Sequence, residues 1–247
     1  MILGPVGMLL VGLLSIAVWW SKKRVKISYF LFGGLIWISA VIPKLVMDMT
    51  ITSPLSFWAN TTFGLTGLLA MMGVYVGLRT SAFECGFSYL FFSKSKPREM
   101  SSDEVIAFGI GFGASEAILL AIPSIVQMVM FILNPSILEA LPPQMKQATE
   151  AQLNMPTWVV LAPVMERAFV LLVHIFASLL IFRSVSDGKL APFLGAFVYK
   201  GVLDGAIPYL QWIFKPSISP EGAYFAEVWV ALMATIALAG IRRIKIH

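Results

Sequence analysis

The feature that most constrains this chain is a series of apolar stretches, each close to the length that crosses a hydrocarbon core, joined by short polar connections. A helix needs about 20 apolar residues to span a bilayer. Such stretches occur at 2–20, 27–47, 57–78, 103–133, 157–182, 190–213 and 223–240. Only 13% of the 247 residues are charged, where a soluble domain carries about 25%. The pattern predicts an all-α polytopic membrane protein, one integral membrane domain over residues 1–247, with about seven transmembrane helices. Pro123 is expected to kink the fourth span. A short amphipathic piece at 145–153 is expected on the outer surface.

Charge tests the topology. The connections at 21–26, 93–102 and 183–189 and the tail at 242–245 hold most of the Lys and Arg, whereas 48–56, 134–156 and 214–222 hold only Lys146 and Lys215. The positive-inside rule puts the first group in the cytoplasm, with the N-terminus outside and the C-terminus cytoplasmic. The first apolar stretch has its basic cluster after it, which reads as an inserted helix, not a cleaved signal. The net charge of +5 is therefore an orientation signal, and nucleic acid is excluded as a partner. The single cysteine, Cys85, excludes an intrachain disulfide. Segment 81–92 begins and ends on the cytoplasmic side in this scheme and is too short to cross twice. It reads as a re-entrant or interfacial helix. The alternative is that it continues the third span, closed by Arg79, as one long tilted helix. Lys44 and Glu227 lie near outer ends and are expected to snorkel.

Six polar or ionisable side chains nevertheless fall inside the spans: Glu116, Glu166, Arg167, His174, Lys200 and Asp204. Each charge at the membrane centre costs about 2.5–3.5 kcal/mol on insertion scales, so buried charge marks a functional site by default. Glu116 lies about 20 Å from the cytoplasmic end of its span, and Lys200 and Asp204 about 15 and 21 Å along theirs. Lys200 and Asp204 are four apart and share a face. Arg167 and His174 lie nearly on one stripe, with Glu166 rotated by about 100°. Three helices thus place polar groups at similar depth, and a shared cavity is the economical arrangement. With Glu84 added, four acids face two cations. The excess suits a divalent cation, protonated carboxyls or a charged His174. Plainer readings exist: a self-neutralising Lys200–Asp204 pair, Glu166 and Arg167 paired only to stay buried, Glu84 in headgroup water, and His174 as a packing residue. Gly109, Gly111 and Gly113 have the small-residue spacing that lets helices approach closely. They lack the strand and the Lys-Ser/Thr of a phosphate loop.

The string Gly109-Ile110-Gly111-Phe112-Gly113-Ala114-Ser115-Glu116-Ala117 resembles the second motif of the YhfC family. That family comprises intramembrane metalloproteases related to PrsW and the CAAX-processing/ABI (CPBP) proteases. Glu166-Arg167 followed by His174 resembles its third motif. Lys200-x-x-x-Asp204 stands where the fourth has His-x-x-x-Asp or Asn. Phe83-Glu84-Cys85-Gly86 stands where a Glu-Glu pair followed by Arg is expected. The resemblance covers about residues 81–205 and implies hydrolysis of a peptide bond in a membrane-embedded peptide or protein, by a multi-pass protein of the cell membrane. It implies Glu84 as general base, Glu116, His174, Asp204 and Lys200 as the other site members, and Glu166 and Arg167 in support. If a divalent metal such as zinc is used, it implies His174, Glu116 and Asp204 as ligands. The departures are Cys85 for the second Glu, the missing Arg, and Lys200 for His. An ammonium has no lone pair for a metal, and catalytic zinc normally takes three protein ligands. This chain has one histidine within the spans; the other, His247, is in the tail. Two outcomes follow: a metal-free carboxylate site in which Lys200 stabilises an oxyanion, or a fold kept without activity. The alternatives of another class are a non-catalytic factor that binds a membrane polypeptide, and an ion-coupled transporter. Against the transporter, no inverted repeat or matched pair of broken helices is visible.

Overall fold

The computed structural model describes residues 2–95 and 100–244, and among these the only regular secondary structure is helical. Helix α1 spans Leu3–Lys23, α2 Ile27–Met47, α3 Ser53–Thr80, α4 Gly86–Lys94 and α5 Ser102–Leu133. The short α6 (Ser136–Glu139) and α7 (Pro143–Leu153) follow, then α8 Leu161–Asp187, α9 Leu190–Gly205, α10 Ile207–Phe214 and α11 Pro220–Arg243. Among the described residues six helical runs are long and apolar enough to cross a membrane. Their outer faces carry large exposed apolar side chains such as Leu31, Ile42, Val198 and Leu232. Lipid, not water, is the solvent that such faces require.

One of those runs, Ile27–Lys94, is 68 residues long and reverses within itself. Wide π turns at Asp48–Thr52 and Ser81–Cys85 join α2 to α3 and α3 to α4 without a loop. The reversal is at Gly64, whose φ of 66° and ψ of −168° lie outside the helical region. Only glycine occupies that region without strain. Contacts across the two arms run antiparallel: Ser56 meets Met72 at 3.2 Å, Thr52 meets Tyr75 at 3.1 Å, Lys44 meets Glu84 at 2.6 Å, and the rings of Phe32 and Phe91 lie 5.4 Å apart.

Three expectations are corrected here. Residues 48–56 are helical, not a loop, because the turn waits for Gly64. Segment 81–92 is not a re-entrant helix; it continues the returning arm, the alternative weighed for it. Arg79 does not close a span but sits within that arm, bonded to Asp48.

The other elements follow the sequence closely. Helix α5 starts at a capping box, in which Ser101 accepts from the Glu104 backbone N–H and the Glu104 carboxylate accepts from that of Ser101. The helix then passes through Pro123 unbroken. The Lys23–Asp103 ion pair, 3.2 Å, sets the end of α1 beside the start of α5. The glycines of α5 work as spacers. A Cβ on Gly111 would lie 2.0 Å from the Phe30 carbonyl oxygen, and one on Gly109 would lie 2.7 Å from Ile175 Cα. Helix α5 is therefore clamped between α2 and α8. Beside this clamp Phe92, Phe108 and Phe182 are fully buried, with ring centroids 4.7 Å (Phe92–Phe108) and 5.4 Å (Phe92–Phe182) apart.

Candidate functional site

Above the phenylalanine core the side chains turn polar. Glu84 comes from the wide turn Ser81–Cys85, which is tied to α9 by a hydrogen bond from Ser81 Oγ to the Phe197 carbonyl, 2.7 Å. A π turn shifts the facing of the residues it carries and is found mostly at functional positions. Here it delivers Glu84 between two ammonium groups. Lys44 Nζ on α2 donates to its Oε1 at 2.6 Å, and Lys200 Nζ on α9 stands 2.8 Å from its Oε2. The second contact is a buried ion pair. Glu84 and Lys200 are both buried.

A second cluster lies alongside. Glu116 on α5 accepts a hydrogen bond from Arg167 Nη1 at 2.6 Å, and its other oxygen meets His174 Nε2 at 2.8 Å. Arg167 also bonds Glu166. His174 is buried, with its ring 4.7 Å from that of Phe112. Lys44, Glu84, Glu116, Arg167, Lys200 and Asp204 line one cavity of about 320 Å³, together with Asp48 and Arg79. His174 stands behind Glu116, in a small void shared with Glu84, Cys85 and Lys200.

The structure thus brings Glu84, Glu116, Glu166, Arg167, Lys200 and Asp204 to one space, with His174 in contact with Glu116. It separates Lys200 from Asp204: the lysine turns to Glu84, and among the described residues Asp204 has no hydrogen bond or ion pair. The self-neutralising i,i+4 pair is therefore not formed, and Glu84 is not in headgroup water. Lys44 was expected to snorkel but turns inward to Glu84, because the antiparallel arm sets that carboxylate opposite it. Glu227 likewise stays inside, with Oε2 buried. Sequence reasoning missed Asp48, Arg79 and Lys44 in the lining of the site cavity, of which Lys44 meets Glu84. The signal for Lys44 was present: an ionisable group in an apolar stretch, one residue after Pro43. Counting all three, Asp48, Glu84, Glu116, Glu166 and Asp204 face Lys44, Arg79, Arg167 and Lys200. The net excess is one negative charge, not two.

The donor set does not fit the expected metal. Among the described residues no three His, Cys, Asp or Glu side chains gather as ligands. Glu116 has one oxygen on Arg167 and the other on His174 Nε2, so both proposed ligands are turned toward each other. An ammonium occupies the position of the motif histidine, and His247 lies outside the described residues.

A helical bundle with apolar outer faces and a charge-compensated polar cavity in its interior is a polytopic membrane protein with a buried site. The chain matches the YhfC intramembrane metalloprotease family over residues 7–221 and belongs to that family. No curated protein and no solved structure matches it.

Proposed function

We propose that this protein is an intramembrane peptidase-like member of its family, a single membrane domain with its N-terminus outside and its C-terminus in the cytoplasm. Counting the two arms about Gly64 separately gives about seven crossings, consistent with the distribution of Lys and Arg. The observation that carries the reading is the convergence of all four motif regions on one cavity. Glu84, Glu116, Lys200 and Asp204 come from separate parts of the chain and line it together, and His174 meets it through Glu116.

In the hydrolytic reading Glu84 takes a proton from a water in the cavity. The hydroxide so formed adds to the peptide carbonyl carbon. Charge developing on the carbonyl oxygen is met by the Lys200 ammonium, which is buried and held in place by Glu84, so that the stabilisation is preorganised. The proton held by Glu84 then passes to the leaving amine as the C–N bond breaks, giving an acid and an amine. Arg167 and His174 hold Glu116, whose carboxylate lines the wall opposite. No step is routed through a metal.

A second reading, a non-catalytic cavity that binds a membrane polypeptide, is favoured by one observation. Both oxygens of Glu84 and both of Glu116 already have partners. One experiment separates the two. Membranes holding wild-type protein, Glu84→Gln or Glu116→Gln are compared by quantitative sequencing of protein N-termini. New N-termini that need wild-type protein and vanish in both variants, at equal protein level, support hydrolysis. Identical N-termini in all three reject hydrolysis in favour of binding.

A further inference from the structure

A larger cavity, about 540 Å³, lies at the end of the bundle where α5 finishes and α8 and α11 begin. It shares the wall residues Glu166, Ile207 and Val230 with the site cavity, so the two spaces adjoin. Its volume falls in the range of ligand pockets, about 300–1,000 Å³, and exceeds what one side chain fills. Gln127, Gln152 and Gln211 add amides to its wall, and among the described residues its ionisable lining groups are Glu166 and Glu227. Glu166 is already held by Arg167. Glu227 Oε2 is buried and has no hydrogen-bond partner among the described residues. A buried acceptor left unpaired costs free energy that a ligand donor would recover.

We propose that this cavity is the vestibule through which a polypeptide reaches the site, and that Glu227 seats a lysine or arginine side chain of that polypeptide. This rests on the reading that the site receives a membrane polypeptide, whether or not it cleaves it. Charge selects the ligand. With Glu166 satisfied by Arg167, one carboxylate remains, which matches one monovalent cation. A flexible apolar stem ending in a charge suits a passage lined by Met, Val, Ala and Pro with one unpaired acid in its wall. A basic residue flanking an apolar segment would anchor on Glu227 while the segment enters toward Glu84.

The test uses the full chain in zwitterionic lipid nanodiscs at high salt. Two fluorescein-labelled peptides each carry an apolar stretch of about 20 residues, ending in Lys-Lys in one and Gln-Gln in the other. Binding is read by fluorescence anisotropy. Wild type is expected to prefer the lysine peptide about tenfold. Glu227→Gln is expected to bring the two affinities within about twofold, with the glutamine peptide binding as before. Equal affinities in wild type overturn the proposal, and so does a preference that survives in Glu227→Gln. Should that variant not fold, a lysine peptide carrying a photoreactive group on the basic residue is cross-linked to wild type. Attachment within Pro220–Arg243 supports the proposal, and attachment elsewhere overturns it. The same binding assay on Glu84→Gln keeps the readings apart. A lysine preference there without any cleavage by wild type sinks hydrolysis and leaves the vestibule standing. Cleavage without a lysine preference does the reverse.

Discussion

Replacing Lys200 by methionine removes one of the two cations on Glu84 at nearly constant volume. The ion pair is 2.8 Å long and both side chains are almost wholly buried. At an effective dielectric of about 20 that separation corresponds to roughly 6 kcal/mol of attraction. Most of it only offsets the removal of the two charges from water, since breaking a buried pair from one side costs about 3–5 kcal/mol. Lys44 remains on Glu84 at 2.6 Å and leaves the carboxylate partly compensated, so the expected loss for Lys200→Met is near the lower bound, about 3 kcal/mol. Removing the orphaned charge as well, in Lys200→Met with Glu84→Gln, should restore part of that loss. The coupling between the two substitutions should be at least about 1.5 kcal/mol. The assay is reversible unfolding in mixed micelles, followed by far-UV circular dichroism, for wild type, both single variants and the double variant. Additive effects, or a Lys200→Met loss below about 0.5 kcal/mol, would refute the claim that the Lys200–Glu84 pair holds α9 against the returning arm.

Three further outcomes follow from the same geometry. Gly111→Val places atoms where the Phe30 carbonyl already stands, 2.0 Å from a Cβ; it should destabilise by at least about 1–3 kcal/mol, visible as a lower melting temperature in detergent. Ser101→Ala removes half of the capping box at the start of α5 and should cost about 1 kcal/mol in the same melt, with the Glu84 and Glu116 clusters unaffected. Elemental analysis of purified protein should find no stoichiometric zinc in wild type, and Lys200→His should raise zinc retention after dialysis. A stoichiometric metal in wild type would refute the argument from the donor set.

Class and parts were legible in the sequence because they depend on composition and short spacing. Apolar stretches near 20 residues require a bilayer, and the side on which Lys and Arg collect orients them. Glycine at positions 109, 111 and 113 announced a close helix contact, since a missing Cβ shortens the distance whatever the partner. The polar members Glu84, Glu116, Glu166, Arg167, His174, Lys200 and Asp204 could be singled out because charge inside an apolar stretch is costly wherever it points. The motif resemblance put four of the site regions in order along the chain.

Which of those groups meet was decided only by the tertiary structure. Lys200 and Asp204 share a helix face, yet the lysine turns to Glu84. The approach of the returning arm to α9, spaced by Gly77 and Gly201, sets a carboxylate within its reach. Lys44 looked like a snorkelling residue until the chain reversed at Gly64 and brought Glu84 opposite it. The reversal itself was displaced from the expected polar connection at 48–56, since helical propensity and apolar character continue through that stretch and one glycine conformation ends them. Pairing between helices depends on rotation, depth and the position of turns, all long-range quantities that hydropathy and motif spacing do not encode. The sequence by itself determined that charge would be buried in a helical membrane bundle; the packing of the bundle determined which charge answers which.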